Sequence, residues 1–216
     1  MQVELVALGV ELHAGDMNDR ASLAGAFDGA YGVFSVQPSA GQPQHGVTAE
    51  DEVRLGKNVA DVAVAARVEH VVYGSVDGCD RSESVPYLYS KWRIEEHLRS
   101  IGARAAFLRS QTFMENVLLP ALGVARGQLT FFSPPDKPLP YIAAHDIGFF
   151  AAQAFASPRD FDGVVNVASD ELSGNEVARA DARDGADAPL RTVSEGGPRR
   201  ISAVREGRGA EGDVFP

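Results

Sequence analysis

The sequence predicts a doubly wound α/β fold: a parallel sheet with helices packed on both faces. Two observations carry the prediction. Along residues 1–180, short apolar runs alternate with stretches whose apolar positions recur at helical spacing. Several of the short runs are apolar at every position. Strands of a parallel sheet show this when helices cover both sides. The composition agrees. With 216 residues, 44% hydrophobic and 23% charged, the chain is ordinary globular protein with enough length for a real core.

Taken in order, Glu11–Ala14 reads as a short strand ending at Gly15-Asp16. Asp19 to Phe27 has a helical pattern, with Leu23, Ala26 and Phe27 on one face and Gly29 as the stop. Gly32–Val36 is a strand closed by Gln37-Pro38, and a loop rich in Gly, Pro and Gln runs on to about Gly46. Thr48 then caps a helix, with Asp51 in the position of a capping-box partner. Its apolar stripe is Leu55, Val59, Val62, Ala63 and Ala66. Val68–Tyr73 is an unbroken buried-type strand. Tyr89 to Ile101 is a helix stopped by Gly102. Ala105–Arg109, Leu129–Phe132 and Leu139–Ala143 are further strands. Asp146–Phe155 is an apolar-rich helix and Val164–Val167 the last strand. Ser173-Gly-Asn-Glu176 is a second capping box, opening one more helix.

From residue 181 to 216 the pattern stops. This stretch carries few large apolar residues and no sustained period, so it is expected to be a disordered tail. A flexible terminus and translation of GC-rich DNA in a shifted frame both produce such a composition.

Charge narrows the function. Twenty Lys and Arg stand against thirty Asp and Glu, a net charge of −10. So acidic a chain is a poor match for nucleic acid or an anionic membrane, and neither is expected as a partner. Cys79 is the only cysteine. That excludes an intrachain disulfide and any CxxC site. The five histidines have no metal-ligand spacing, so no metal is expected. No apolar run is long enough to span a bilayer and no signal peptide is visible, so the expected compartment is the cytoplasm.

In a doubly wound sheet, ligands bind at the carboxyl ends of the strands. The residues there are Asp16, Gln37-Pro38, Ser75, and the run Ser110 to Asn116. Tyr87 and Lys91 lie four apart on the helix after Ser75, hence on one face. An ammonium beside a phenol favours the phenolate. Tyr87 can then protonate a carbonyl oxygen while a nicotinamide delivers hydride, with Ser75 bonding the same oxygen. The ordinary alternative is that these tyrosines only pack on the sheet. Glu95-Glu96 reads as a solvated helix face, and Cys79, in a polar loop, as a bystander.

Several segments together resemble the NmrA-like family, atypical relatives of the short-chain dehydrogenases that bind NAD or NADP in a Rossmann-like sheet. They are Gly9–Asp16, Leu23–Phe27 and Gly32–Pro38, then Gly56-Lys-Asn-Val through Glu69–Ser75. Ser90-Lys91 with Glu95–Leu98, Leu108–Asn116 and Asp146-Ile-Gly148 complete the set. The resemblance implies that Asp16 lies near the adenine and that Gln37 and Pro38 line the cofactor trough. It implies Ser75 and Lys91 beside the nicotinamide ribose, and Phe113, Glu115 and Asn116 at the substrate or nicotinamide pocket. Many family members carry His or Phe where this chain has Tyr87.

One departure matters. The family opens with a strand and a Gly-x-x-Gly-x-x-Gly loop whose backbone N–H groups hold the pyrophosphate. No such loop precedes Asp16. The chain therefore reads as N-terminally truncated, lacking the first βαβ segment, and is expected to bind NAD or NADP weakly or not at all. Three functional readings stand. The first is an oxidoreductase reducing a small quinone, azo or carbonyl substrate. The second is a non-catalytic dinucleotide sensor acting on a protein partner. The third is a truncated, non-functional product.

Overall fold

The computed structural model describes residues 2–42, 46–119, 134, 136–182 and 202–205. The chain divides into two compact units, Met1–Ala106 and Phe107–Pro216. The fold is α/β with a parallel central sheet.

The first unit opens with helix α1, Gln2–Ala7. Residues 10–16 follow without regular structure. Here the structure corrects the sequence reading: Glu11–Ala14 is not a strand. These residues are exposed, and His13 pairs with Glu11 at 3.1 Å on the surface. A strand exists only through a ladder partner, and no strand among the described residues pairs with this segment. Helix α2, Arg20–Phe27, begins at Asp19, whose Oδ1 accepts the Ala21 N–H at 3.0 Å. Strand β1, Gly32–Ser35, leads into the loop and helix α3, Ala49–Ala65. Thr48 and Asp51 form the expected capping box.

Strand β2, His70–Val76, is followed by a 3₁₀ turn at Cys79–Arg81 and helix α4, Pro86–Ser100. Proline at its first position moves the start of α4 ahead of the expected Tyr89, because the missing N–H has no helical partner there anyway. Gly102, at φ +71°, closes α4 as expected, with Ala103 N–H bonded to Leu98 C=O at 3.1 Å. Strand β3, Ala105–Ser110, begins in this unit beside β2, so the order here is β1-β2-β3.

The β1–β2 register is parallel and pairs Val33 with Val71 and Ser35 with Tyr73. Partners in register point to the same side of a sheet, and alternate residues to opposite sides. Val33, Ser35, Val71, Tyr73 and Ser75 therefore share one face, and all are buried. Helices α3 and α4 cover it. They approach closely where Gly56 faces Ile94. Phe34 and Val36 point to the other side and are exposed.

The second unit carries the rest of β3, the short strand β4 (Thr112–Phe113) and a 3₁₀ turn at Met114–Leu118. It continues with β5 (Pro138–Ile142), α5 (Ala144–Ala156), β6 (Gly163–Ala168), β7 (Asp170–Ser173) and α6 (Gly174–Ala182). Strand β8, Ser202–Arg205, pairs antiparallel with β6. The order here is β3-β6-β8, beside a small sheet β4-β5-β7. Of the tail expected to be disordered, residues 183–201 and 206–216 lie outside the described residues, while 181–182 end α6 and 202–205 form β8. The expected strand Leu129–Phe132 also lies outside them. The Ser173–Glu176 capping box is present: Ser173 N–H and Oγ–H both donate to Glu176 Oε2. No helix among the described residues is long and apolar enough to cross a membrane.

Candidate functional site

The covered face of β1 and β2 holds a polar cluster where an apolar core would be expected. Two glutamates lie at its centre. Glu52, in the first turn of α3, is 1% exposed, and Glu95, midway along α4, is 0% exposed. Burying a carboxylate is costly unless it is bonded and paired. Both are. Glu52 Oε2 accepts from Ser90 Oγ at 3.0 Å and from the Ala40 N–H at 3.2 Å, and Glu52 Oε1 accepts from Lys91 Nζ. Glu95 Oε1 accepts from Ser75 Oγ at 2.6 Å and from Cys79 Sγ at 3.4 Å, and Arg99 Nη2 meets Oε2 at 2.8 Å. Tyr73 lies on the same face. Burial pushes its phenol well above the ordinary tyrosine value, and the charges of Glu52 and Glu95 push it further. It is a neutral hydroxyl at working pH.

Lys91 links this cluster to the carboxyl end of β1. Its ammonium donates to Ser39 Oγ at 2.8 Å as well as to Glu52. Tyr87, one turn earlier on α4, packs against Gly41 of the same loop. A Cβ at Gly41 would come within 3.0 Å of the Tyr87 ring. Tyr87 is 44% exposed. Gln37 is only 8% exposed, and its Nε2 donates to Ser35 Oγ at 2.9 Å. Its Oε1 is buried and has no hydrogen-bond partner among the described residues. A buried carbonyl oxygen without a donor is unfavourable, and it is where a ligand N–H or O–H would be welcome.

The structure thus brings Gln37, Pro38, Tyr87 and Lys91 to one place, the loop after β1. It treats Ser75 differently. Strand β2 runs three residues past Tyr73, so Ser75 lies within the strand, and its hydroxyl donates a hydrogen bond to Glu95. Asp16 is exposed and holds a turn before α2: its Oδ1 accepts the Asn18 N–H at 2.8 Å, and its own N–H bonds to Ser22 Oγ. No hydrogen bond among the described residues joins it to Lys91 or Tyr87. Phe113 and Asn116 belong to the second unit. Phe113 is half-buried in β4, and Asn116 is exposed in the turn that follows. There Glu115 Oε1 accepts the Ala144 N–H at the start of α5, and Ser169 Oγ–H bonds to the buried Asp146 at 2.5 Å.

Two readings from sequence are corrected. Glu95 is not on a solvated face but fully buried, and Cys79 lies not in a loop but in the 3₁₀ turn Cys79–Arg81, buried against Glu95. Burial beside a carboxylate disfavours the thiolate. Sequence reasoning missed Glu52, Glu95, Ser39 and Ser90. A signal for the two acids was present. Glu52 lies three residues before Leu55 and seven before Val59, and Glu95 three before Leu98, so both sit on apolar stripes.

The second unit also has a pocket of about 540 Å³, lined by Asp136, Glu171, Glu176 and Arg179 among others. Three carboxylates against one arginine make it a poor seat for an anionic dinucleotide. Among the described residues, no group of three or more His, Cys, Asp or Glu side chains could hold a metal ion.

Known proteins are similar to this chain in sequence and in fold. The chain is 29% identical over 181 residues to an NAD(P)H azoreductase of Xenophilus azovorans, an alignment covering 82% of this chain and 59% of that protein. The solved structure of NmrA, a negative transcriptional regulator, in complex with NADP matches with a TM-score of 0.64 and 25% identity, over 81% of this chain and 56% of that one. Triphenylmethane reductase of Citrobacter sp., complexed with NADP(H), matches with a TM-score of 0.71 over 87% and 64% of the two chains. At 18% identity that likeness is one of fold. The chain spans less than two thirds of the length of each of these proteins. The sequence matches the model of one family from residue 2 to residue 192, and on that match the chain belongs to the NmrA-like family.

Proposed function

We propose that the chain is part of an NADH- or NADPH-dependent oxidoreductase that reduces a small quinone, azo or carbonyl compound. The observation that carries this reading is the gathering of Tyr87 and Lys91 over the loop after β1, with the unpartnered Gln37 Oε1 on the same loop. A dinucleotide fits these residues. Its hydroxyls and carboxamide offer donors for Gln37 Oε1, and its ribose oxygens offer acceptors for Lys91. When bound, the nicotinamide supplies hydride. Tyr87, exposed at the start of α4, supplies the proton that the reduced atom must take up, with Lys91 one turn away on the same helix. Ser75, whose hydroxyl donates to Glu95, lies one strand over from the loop after β1. Asp16 stands towards the adenine. The azoreductase relative supports the substrate class.

Titration of the purified chain with NADH and with NADPH, followed by calorimetry, tests the reading. These 216 residues hold no Gly-x-x-Gly-x-x-Gly loop for the pyrophosphate. Saturable binding with a dissociation constant on the order of 0.1 mM is therefore expected. Absence of saturable binding of either nucleotide overturns it.

A second reading, a dinucleotide sensor without catalysis, is favoured by the NADP-bound regulator NmrA among the structural matches. NADPH turnover by the unmodified chain separates the two, since a sensor shows none, and Tyr87→Phe then tests the acid. For an enzyme, turnover falls by roughly 100-fold with nucleotide binding unchanged. If turnover is unchanged, Tyr87 is not the acid.

A further inference from the structure

Lys91 does not reach its position by helix geometry alone. Its side chain is 14% exposed and its ammonium is shared between two oxygens, Glu52 Oε1 and Ser39 Oγ. An ammonium has three donors. The two bonds leave one N–H for a ligand. Glu52 meanwhile receives Ser90 from α4 and the Ala40 N–H from the loop after β1. One buried carboxylate on α3 therefore ties together the helix that carries Tyr87 and Lys91 and the loop that carries Gln37.

We propose that Glu52 is the positioning residue of this site: it holds Lys91 and the loop after β1 in the one arrangement that accepts the ribose of a nicotinamide dinucleotide. The proposal rests on the dinucleotide reading above. It adds a residue that does not itself touch the ligand. Both oxygens of Glu52 act as acceptors. Its effect passes through Lys91 and Ala40.

The test has two readouts. The first needs no nucleotide. The chain has three lysines, Lys57, Lys91 and Lys137. A brief pulse of acetic anhydride followed by peptide mass spectrometry gives the acetylation rate of Lys91 against exposed Lys137. In Glu52→Gln, an isosteric change, Lys91 is released and its relative rate rises about threefold or more, because a partly buried ion pair shields its amine. An unchanged rate overturns the proposal.

The second readout is a double-mutant cycle on NADPH affinity. Glu52→Gln weakens binding about five- to tenfold in the chain with Lys91, and less than about twofold in the Lys91→Met background. An equal loss in both backgrounds means that Glu52 acts only as a structural residue, and the proposal falls. If the unmodified chain binds no NADPH, the dinucleotide reading falls instead, and the acetylation rates alone decide whether Glu52 holds Lys91. Should Glu52→Gln fail to fold, Glu52→Asp keeps the charge, shortens its reach and is judged by the same two criteria.

Discussion

At the scale of single residues, the capping chemistry is written locally and behaves accordingly. Thr48 Oγ and backbone N–H both donate to Asp51, and Arg54 meets its other oxygen at 2.7 Å. The hydrogen bond from the Thr48 side chain, then that from Arg54, lowers the Asp51 carboxyl to about 2 from an ordinary 3.8. A carboxyl held lower in the folded state than in the unfolded one stabilises at pH above its unfolded value. That contribution is complete above 3.8 and is lost as pH falls from there towards 2. Thermal unfolding of Asp51→Asn should therefore lie below that of the parent at neutral pH, with the gap closing over that window. The group is exposed, so the gap should also shrink in high salt. A gap that persists below pH 2 would show that the charge is not its source. Glu176 is lowered by Ser173 in the same way and adds to the same acid limb.

At the scale of elements, the contact between α3 and α4 decides whether the site exists. Gly56 permits it. A Cβ there would stand 2.5 Å from Ile94 Cδ1 and 2.8 Å from Cγ1. Ile94 is fully buried and has nowhere to retreat. Gly56→Ala should cost about 1–3 kcal/mol by overpacking, even though alanine favours helix. Urea unfolding measures this directly, and a stabilised variant would show that the helices can part without loss. Glu52 lies four residues before Gly56 and Glu95 next to Ile94, so the same displacement should weaken nucleotide binding. The helices themselves were legible, because a 3.6-residue period and a cap are local patterns. Glu11–Ala14 shows the complementary case: its alternation of polar and apolar residues satisfies a strand pattern, but pairing depends on residues far along the chain.

At the scale of the molecule, β1 ends the order of strands in the first unit among the described residues. Phe34 and Val36 lie exposed on its uncovered face, and Tyr31 precedes them. An open edge beside exposed apolar side chains favours association between chains. Sedimentation velocity should show mass rising with concentration, and Val36→Lys should reduce it while leaving the unfolding midpoint nearly unchanged. A chain that stays monomeric at every concentration would contradict this. The residue pattern by itself determined the α/β class, most helix and strand positions, both capping boxes and the Tyr87–Lys91 spacing, because each is encoded within a few neighbouring residues. Only the tertiary structure decided that Glu52 and Glu95 are buried, that Ser75 donates its hydrogen bond to Glu95, and that Gln37 Oε1 is left without a donor among the described residues. Those facts depend on which surfaces meet when α3 and α4 close over the sheet, and the partners involved stand up to 52 residues apart in the chain.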